Sequence, residues 1–143
     1  MTEVAFHFNA PDPVAYACRL LRKAVSSGAK LVVVGSPETL RQLDVALWTF
    51  SPTDFVPHCH LDSDPGIVAA SPVILATSVG AVPHQHVLLN LGHLVPDGFD
   101  RFERVIEVVG LEDEARQLAR SRWKQYADLG YSITRHDLNL KSS

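Results

Sequence analysis

The chain has little cysteine, no long apolar run and no leader-like N-terminus, and each shortage removes a class of protein. Two cysteines, Cys18 and Cys59, are too few for a disulfide scaffold, so we expect a reducing, cytoplasmic compartment. The longest apolar run, residues 31–35, is far shorter than the roughly 20 residues that a membrane span requires. The first ten residues include Glu3 and His7 and lack the basic-then-apolar layout of a secretory signal.

The chain also lacks an excess of either charge. Its 13 lysines and arginines face 16 acidic residues, which leaves a net charge of −3. Affinity for a nucleic-acid backbone needs net basic coverage, so binding over the whole surface is excluded and only a local basic patch stays open. With 143 residues, 46% hydrophobic and 20% charged, the composition is that of an ordinary globular protein. We expect one domain over residues 1–143.

Strand-like and helix-like segments alternate along the chain. Asp12 and Pro13 have the N-cap and first-turn pattern of a helix, and Ser36 and Pro37 repeat it. The alternation predicts an α/β fold with a mostly parallel sheet and helices on both faces. Residues 51–71, rich in proline, are predicted as loop. Strands are predicted at 3–8, 30–34, 72–76, 86–90, 104–109 and within 131–143, and helices at 13–28, 37–51, 99–103 and 111–129.

A nucleotide fingerprint is absent. The turn after the second predicted strand has a single glycine, Gly35, and neither GxGxxG nor GxxxxGK[ST] occurs. Ser36 and the amides that follow it would suit an anion at a helix N-terminus, but an ordinary helix cap accounts for the same residues. The sequence therefore predicts no nucleotide site and no cofactor.

Histidines and a cysteine form two short clusters. His58, Cys59 and His60 together with His84 and His86 offer five ligands of the kind that zinc or nickel prefers. Neither cluster has C-x₂-C or H-x₃-H spacing, and neighbouring residues of a strand point to opposite faces. Histidines in loops are the favoured interpretation. A metal-dependent enzyme or regulator that uses these five residues is kept as the alternative function.

The last predicted helix has two different faces. At about 100° per residue, Arg116, Arg120 and Lys124 form a basic stripe, and Trp123 lies between that stripe and the apolar face. Such a seam suits a small acidic ligand with one hydrophobic anchor, although a solvated helix face has the same pattern. Arg122 falls within the apolar arc and must either reach outward or contact an acidic partner. The apolar arc contains Leu111, Ala115, Leu118, Ala119, Tyr126 and Leu129.

An aromatic patch precedes the first histidine cluster. Trp48 closes the second predicted helix, and Phe55, Val56 and Pro57 follow in the proline-bounded segment. Aromatic side chains dominate interface energetics, so the patch is a candidate docking site for a partner. A lid over the core of the domain is the other interpretation, and the sequence leaves both open.

These motifs resemble one known family. Residues 43–48 (LDVALW), 55–58 (FVPH) and 117–120 (QLAR), with Trp123, Lys124 and Tyr126, are similar to the chi subunits of bacterial DNA polymerase III. The resemblance covers nearly the whole chain. It implies a nucleotide-binding-like, three-layer α/β fold that has no nucleotide site.

The resemblance also implies a function without catalysis. Family members are accessory proteins of the clamp loader, and the counterpart here would be a cytoplasmic, replisome-associated protein whose contact with nucleic acid is mainly indirect. The implied ligand is the acidic C-terminal tail of single-stranded-DNA-binding protein, which ends in phenylalanine. The implied second partner is the psi subunit of the clamp loader. The implied tail-binding residues are Val109, Arg116, Arg120, Trp123 and Lys124, and the implied psi-binding residues are Trp48, Phe55, Val56 and Pro57.

Overall fold

A computed structural model describes residues 1–49, 55–80 and 82–138 of the chain. In these ranges strands and helices alternate, except that the strand Val73–Ala76 is followed directly by the strand Val87–Asn90, and a single turn of 3-10 helix lies at Phe99–Arg101. The strands are β1 (Glu3–Ala10), β2 (Leu31–Val34), β3 (His58–His60), β4 (Val73–Ala76), β5 (Val87–Asn90), β6 (Arg104–Gly110) and β7 (Ile133–Asp137). The helices are α1 (Pro13–Ser26), α2 (Pro37–Thr49), α3 (Pro65–Ala70) and α4 (Asp113–Asp128).

The strands form one open sheet in which every pair is parallel. Their order is β3-β4-β2-β5-β6-β1-β7, so β3 and β7 are the two edges. The interior strand β2 pairs with β4 and β5 along its whole length. Strands that are covered on both faces need no polar alternation, which explains the continuous apolar runs of β2 and β4. The predicted α/β class with a parallel sheet is confirmed.

Helices cover both faces of this sheet. α1 and α2 pack on one face, where Leu21 and Leu43 are fully buried. α3 and α4 pack on the other face, where Ala119 and Tyr126 lie in a second apolar cluster. The three layers therefore enclose two cores, one on each side of the sheet. Among the described residues, no helix is both long and apolar enough to cross a membrane.

Local chemistry explains where the first two helices begin. A carboxylate oxygen of Asp12 accepts a hydrogen bond from the Ala15 amide at 3.1 Å, and proline takes the next position. The Ser36 hydroxyl accepts from the Thr39 amide at 3.2 Å in the same way. Both predicted starts are confirmed.

The prediction of a loop over residues 51–71 is wrong in its second half. β3 pairs with β4, and α3 follows because the Asp64 carboxylate caps the Gly66 amide at 3.0 Å, with Pro65 in the first turn. Proline content favours a loop, but at the first position of a helix, where Pro65 lies, proline is compatible with helical structure. The predicted end of the second helix near residue 51 lies outside the described residues.

Candidate peptide-binding cleft

The sheet has a topological switch point where β6 lies beside β1. The chain leaves β6 for α4 on one face and leaves β1 for α1 on the opposite face. Two helices that diverge in this way leave a crevice at the carboxyl ends of their strands, which is where open α/β sheets bind ligands. A cleft of about 670 Å³ lies there, lined by α4, by the carboxyl ends of β1 and β6 and by Arg135 of β7.

The floor of the cleft is apolar. Phe6 and Phe8 of β1, Val109 of β6 and Ala119 and Trp123 of α4 all line it. The rings of Phe6 and Trp123 lie 5.0 Å apart at an angle of 52°. Phe6 is buried and Trp123 is half-buried, so the indole keeps an accessible face beside a fixed ring. Such a floor accommodates one aromatic or aliphatic side chain of a ligand.

Three guanidinium groups surround this floor. Arg116 donates a hydrogen bond to the Asn9 side-chain oxygen at 3.0 Å. Arg135 of β7 lies over the Phe8 ring, 4.9 Å from its centroid. Arg120 of α4 also lines the cleft. Within the part of the chain that the structure describes, its guanidinium has no hydrogen bond or ion pair. The cleft therefore combines an apolar floor with a cationic rim, which favours an acidic ligand.

A buried polar network holds α4 against the sheet beneath the cleft. The Glu107 carboxylate accepts from Arg122 at 2.9 Å, from the Tyr126 hydroxyl at 2.8 Å and from Asn90 at 2.9 Å. Arg122 also donates to the His93 carbonyl at 3.2 Å. The expectation that Arg122 either reaches outward or meets an acid is thus resolved in favour of the acid.

Burial governs protonation in this network. It raises the pKa of the Glu107 carboxyl, and the Arg122 charge and the three donors act against that rise. Burial, and then the charge of Glu107, raise the pKa of the Tyr126 hydroxyl, which therefore stays a donor. The network fixes the rotation of α4, and with it the direction of the side chains on its exposed face.

The structure brings together four of the five residues implied for tail binding. Val109, Arg116, Arg120 and Trp123 all line the cleft, whereas Lys124 is exposed and lies outside the lining. The residues that complete the cleft were not predicted as part of it, and they are Phe6, Phe8, Asn9, Gly110, Ala119 and Arg135. The alternation of apolar and polar residues in β1 would have put Phe6 and Phe8 on one face. Nothing in the sequence pairs residue 135 with β1.

The aromatic patch lies beside β3, at the edge of the sheet farther from the cleft. Trp48 is 64% exposed and Phe55 is 46% exposed, and their rings are 4.8 Å apart. Pro57 is exposed, but Val56 is only 2% exposed and packs in the core below. The surface of the patch is therefore formed by Trp48, Phe55 and Pro57, and Val56 supports it from beneath.

The histidine and cysteine clusters do not converge. Both ring nitrogens of His58 lie 2.7 Å from an oxygen, that of the Val56 carbonyl and one of the Asp44 carboxylate, so both positions where a metal would bind already face a protein oxygen. Cys59 is buried on the opposite side of the strand. Among the described residues, no three histidine, cysteine or acidic side chains come close enough together to hold a metal ion. Nothing in the geometry favours the metal-dependent alternative.

Fold and cleft together define a class, a three-layer α/β protein with a cleft at the switch point of its sheet whose apolar floor and cationic rim suit an acidic ligand with an apolar end. Residues 1–134 match the family model described as DNA polymerase III chi subunit, HolC, and the chain belongs to that family. This confirms the resemblance stated from the sequence. Membership of the family implies an accessory role in DNA replication.

Three curated relatives carry the name DNA polymerase III subunit chi. The protein from Pseudomonas aeruginosa is 34% identical over 96% of this chain and 98% of its own length. Those from Haemophilus influenzae and Escherichia coli are 27% and 28% identical over 82% and 81% of this chain, and over 82% and 79% of their own lengths.

Proposed function

We propose that this protein is a non-catalytic adaptor that links two partners at the replication fork in the cytoplasm. In the cleft it binds the acidic C-terminal tail of single-stranded-DNA-binding protein, and through the aromatic patch it binds a psi-type subunit of the clamp loader. The observation that carries the proposal is the cleft itself, because an apolar floor and three guanidinium groups occur in one concave site.

The chemistry of such a tail matches the cleft group by group. A terminal phenylalanine side chain fits the floor between Phe6, Val109 and Trp123, where edge and face contacts between rings are available. Its α-carboxylate suits Arg120, whose planar donors can bind both oxygens. Acidic residues earlier in the tail would face Arg116 and Arg135. Lys124 lies outside the cleft and would act through its charge alone.

The first prediction tests the tail. A fluorescently labelled acidic peptide that ends in phenylalanine is expected to bind with a Kd in the micromolar range, followed by fluorescence anisotropy. The same peptide without that residue is expected to bind at least ten times more weakly, because it leaves the apolar floor empty. Binding should weaken as salt is raised from about 0.05 to 0.3 M, since the rim charges are screened. Equal affinity for the two peptides would contradict the assigned pocket.

The arrangement of the two sites suits an adaptor. The patch lies beside edge strand β3, and the cleft lies at β6, β1 and β7, near the other edge. With strands about 4.8 Å apart, four or five strand spacings separate the sites by roughly 20–25 Å. A short peptide in the cleft would therefore not overlap a partner that is docked on the patch.

The second prediction separates the patch from the core. Trp48→Ala is expected to change the free energy of unfolding by less than about 1 kcal/mol, because the side chain is mostly exposed. Its neighbour Leu47 is 1% exposed, and Leu47→Ala should lower the free energy of unfolding by about 2–5 kcal/mol.

Trp48→Ala should also weaken binding to a psi-type subunit, measured by calorimetry, and leave affinity for the tail peptide unchanged. Undiminished binding to that subunit would remove the patch from the proposal.

A further inference from the structure

Asn9 has an unusual backbone conformation at the end of β1. Its φ is 65°, and it is the one residue other than glycine with a positive φ among those that the structure describes. The parallel pairing of β1 with β6 is irregular between His7 and Ala10, so Asn9 lies at a bulge. Asparagine tolerates this left-handed region better than most residues, but the conformation still needs support from its surroundings.

The side chain of Asn9 connects three elements at the rim of the cleft. Its oxygen accepts from Arg116 of α4 at 3.0 Å, and its nitrogen donates to the Asp137 carboxylate of β7 at 2.9 Å. A side-chain amide offers an acceptor to a guanidinium and a donor to a carboxylate from one planar group, without depending on pH. The amide thus stands between a cation of the cleft and an acid of the neighbouring strand.

We propose that Asn9 is a positioning residue for the acidic ligand and acts through Arg116. The inference rests on the proposed function of the cleft. By accepting from Arg116, the amide fixes the guanidinium at the rim, so less conformational freedom is lost when a ligand carboxylate binds. By donating to Asp137, the amide is anchored on β7 with its oxygen directed at Arg116. The bulge is what brings the amide to the rim.

A cycle of four proteins tests this inference: wild type, Asn9→Gly, Arg116→Ala and the double variant. Glycine keeps the left-handed backbone without strain, so the unfolding midpoint should change little. Asn9→Gly is expected to weaken binding of the phenylalanine-ending peptide about three- to tenfold. In the Arg116→Ala background the same change should have no further effect. Asn9→Asp should weaken binding more than Asn9→Gly, because the new carboxylate itself pairs with Arg116.

The outcomes separate this inference from the function on which it rests. If wild type binds neither peptide, the proposed function falls and takes the inference with it. If wild type binds and Asn9→Gly binds equally well, only the inference is overturned. Equal losses from Asn9→Gly with and without Arg116 would likewise overturn it, since Asn9 would then act on the ligand or on the shape of the cleft. Guanidinium NMR signals of Arg116 that broaden in Asn9→Gly without peptide would support the positioning role.

Discussion

Replacing Arg122 by alanine is expected to lower the free energy of unfolding by about 3–5 kcal/mol, the largest effect that we predict for a single substitution. Arg122 is 3% exposed and Glu107 is fully buried, so the variant leaves a carboxylate in the core without its cation. The bonds from Tyr126 and Asn90 remain, but they carry no charge. Chemical unfolding monitored by circular dichroism measures the loss.

Two further variants show whether the loss comes from the unpaired charge. Arg120→Ala removes an exposed arginine from the same helix and should change stability by less than about 0.5 kcal/mol. The double variant Arg122→Met with Glu107→Gln removes both charges and keeps a polar group opposite Tyr126. It should recover much of the stability that Arg122→Ala loses. A double variant no more stable than Arg122→Ala would mean that the packing of the arginine, rather than the pairing of charges, is what matters.

The pH dependence of the Arg122→Ala variant follows from the same carboxylate. Burial raises the pKa of Glu107 and the Arg122 charge opposes that rise, so without the guanidinium only the Asn90 and Tyr126 bonds oppose it and the pKa rises further. The folded variant then holds a proton that the unfolded chain has released, and its stability falls as pH increases. The difference from wild type should therefore be larger at pH 8 than at pH 5. Equal differences at both pH values would place the charged carboxylate in contact with water.

The network shows how much of the contacts of Arg122 helical periodicity can predict. The angle of Arg122 around the helix places it in the apolar arc of α4. A charged side chain at that position needs either an acidic partner or a conformation that reaches the solvent. Glu107 interrupts an otherwise apolar strand, and is visible in the sequence for that reason. The pairing itself depends on how α4 lies across β6, and this is decided by tertiary packing. Periodicity thus predicted the need for a partner but not its identity.

The cleft was predictable only in part, for a related reason. Its α4 residues follow from one helix face, but the switch point depends on the strand order, and a pattern of apolar residues does not encode that order. Arg135 reaches the rim because β7 pairs with β1, which is more than 120 residues away in the chain. Asn9 depends on a bulge whose cause is the pairing of β1 with β6. Local preference does not reveal either contact.

Among substitutions that affect binding, Arg120→Ala is expected to have the largest effect, a loss of about 1.5–3 kcal/mol in affinity for the phenylalanine-ending peptide. The guanidinium lines the cleft and, among the described residues, has no partner to give up when a ligand arrives. Arg116 already uses one donor on Asn9, and Arg135 lies over the Phe8 ring. Of the three guanidinium groups, Arg120 therefore has the most donors available for a ligand carboxylate. Anisotropy titrations of both variants at one salt concentration provide the comparison.

Matched variants separate contact from general charge. Arg41→Ala removes the same charge from α2, on the opposite face of the sheet, and should leave peptide affinity within about twofold. Lys124→Ala, one turn beyond Arg120 and outside the cleft, should weaken binding less than Arg120→Ala does and lose its effect at high salt. Arg120→Lys keeps the charge but loses the planar pair of donors, so an intermediate affinity is expected. Equal losses from Lys124→Ala and Arg120→Ala would mean that the summed positive charge of the basic stripe, rather than a direct bond to Arg120, attracts the tail.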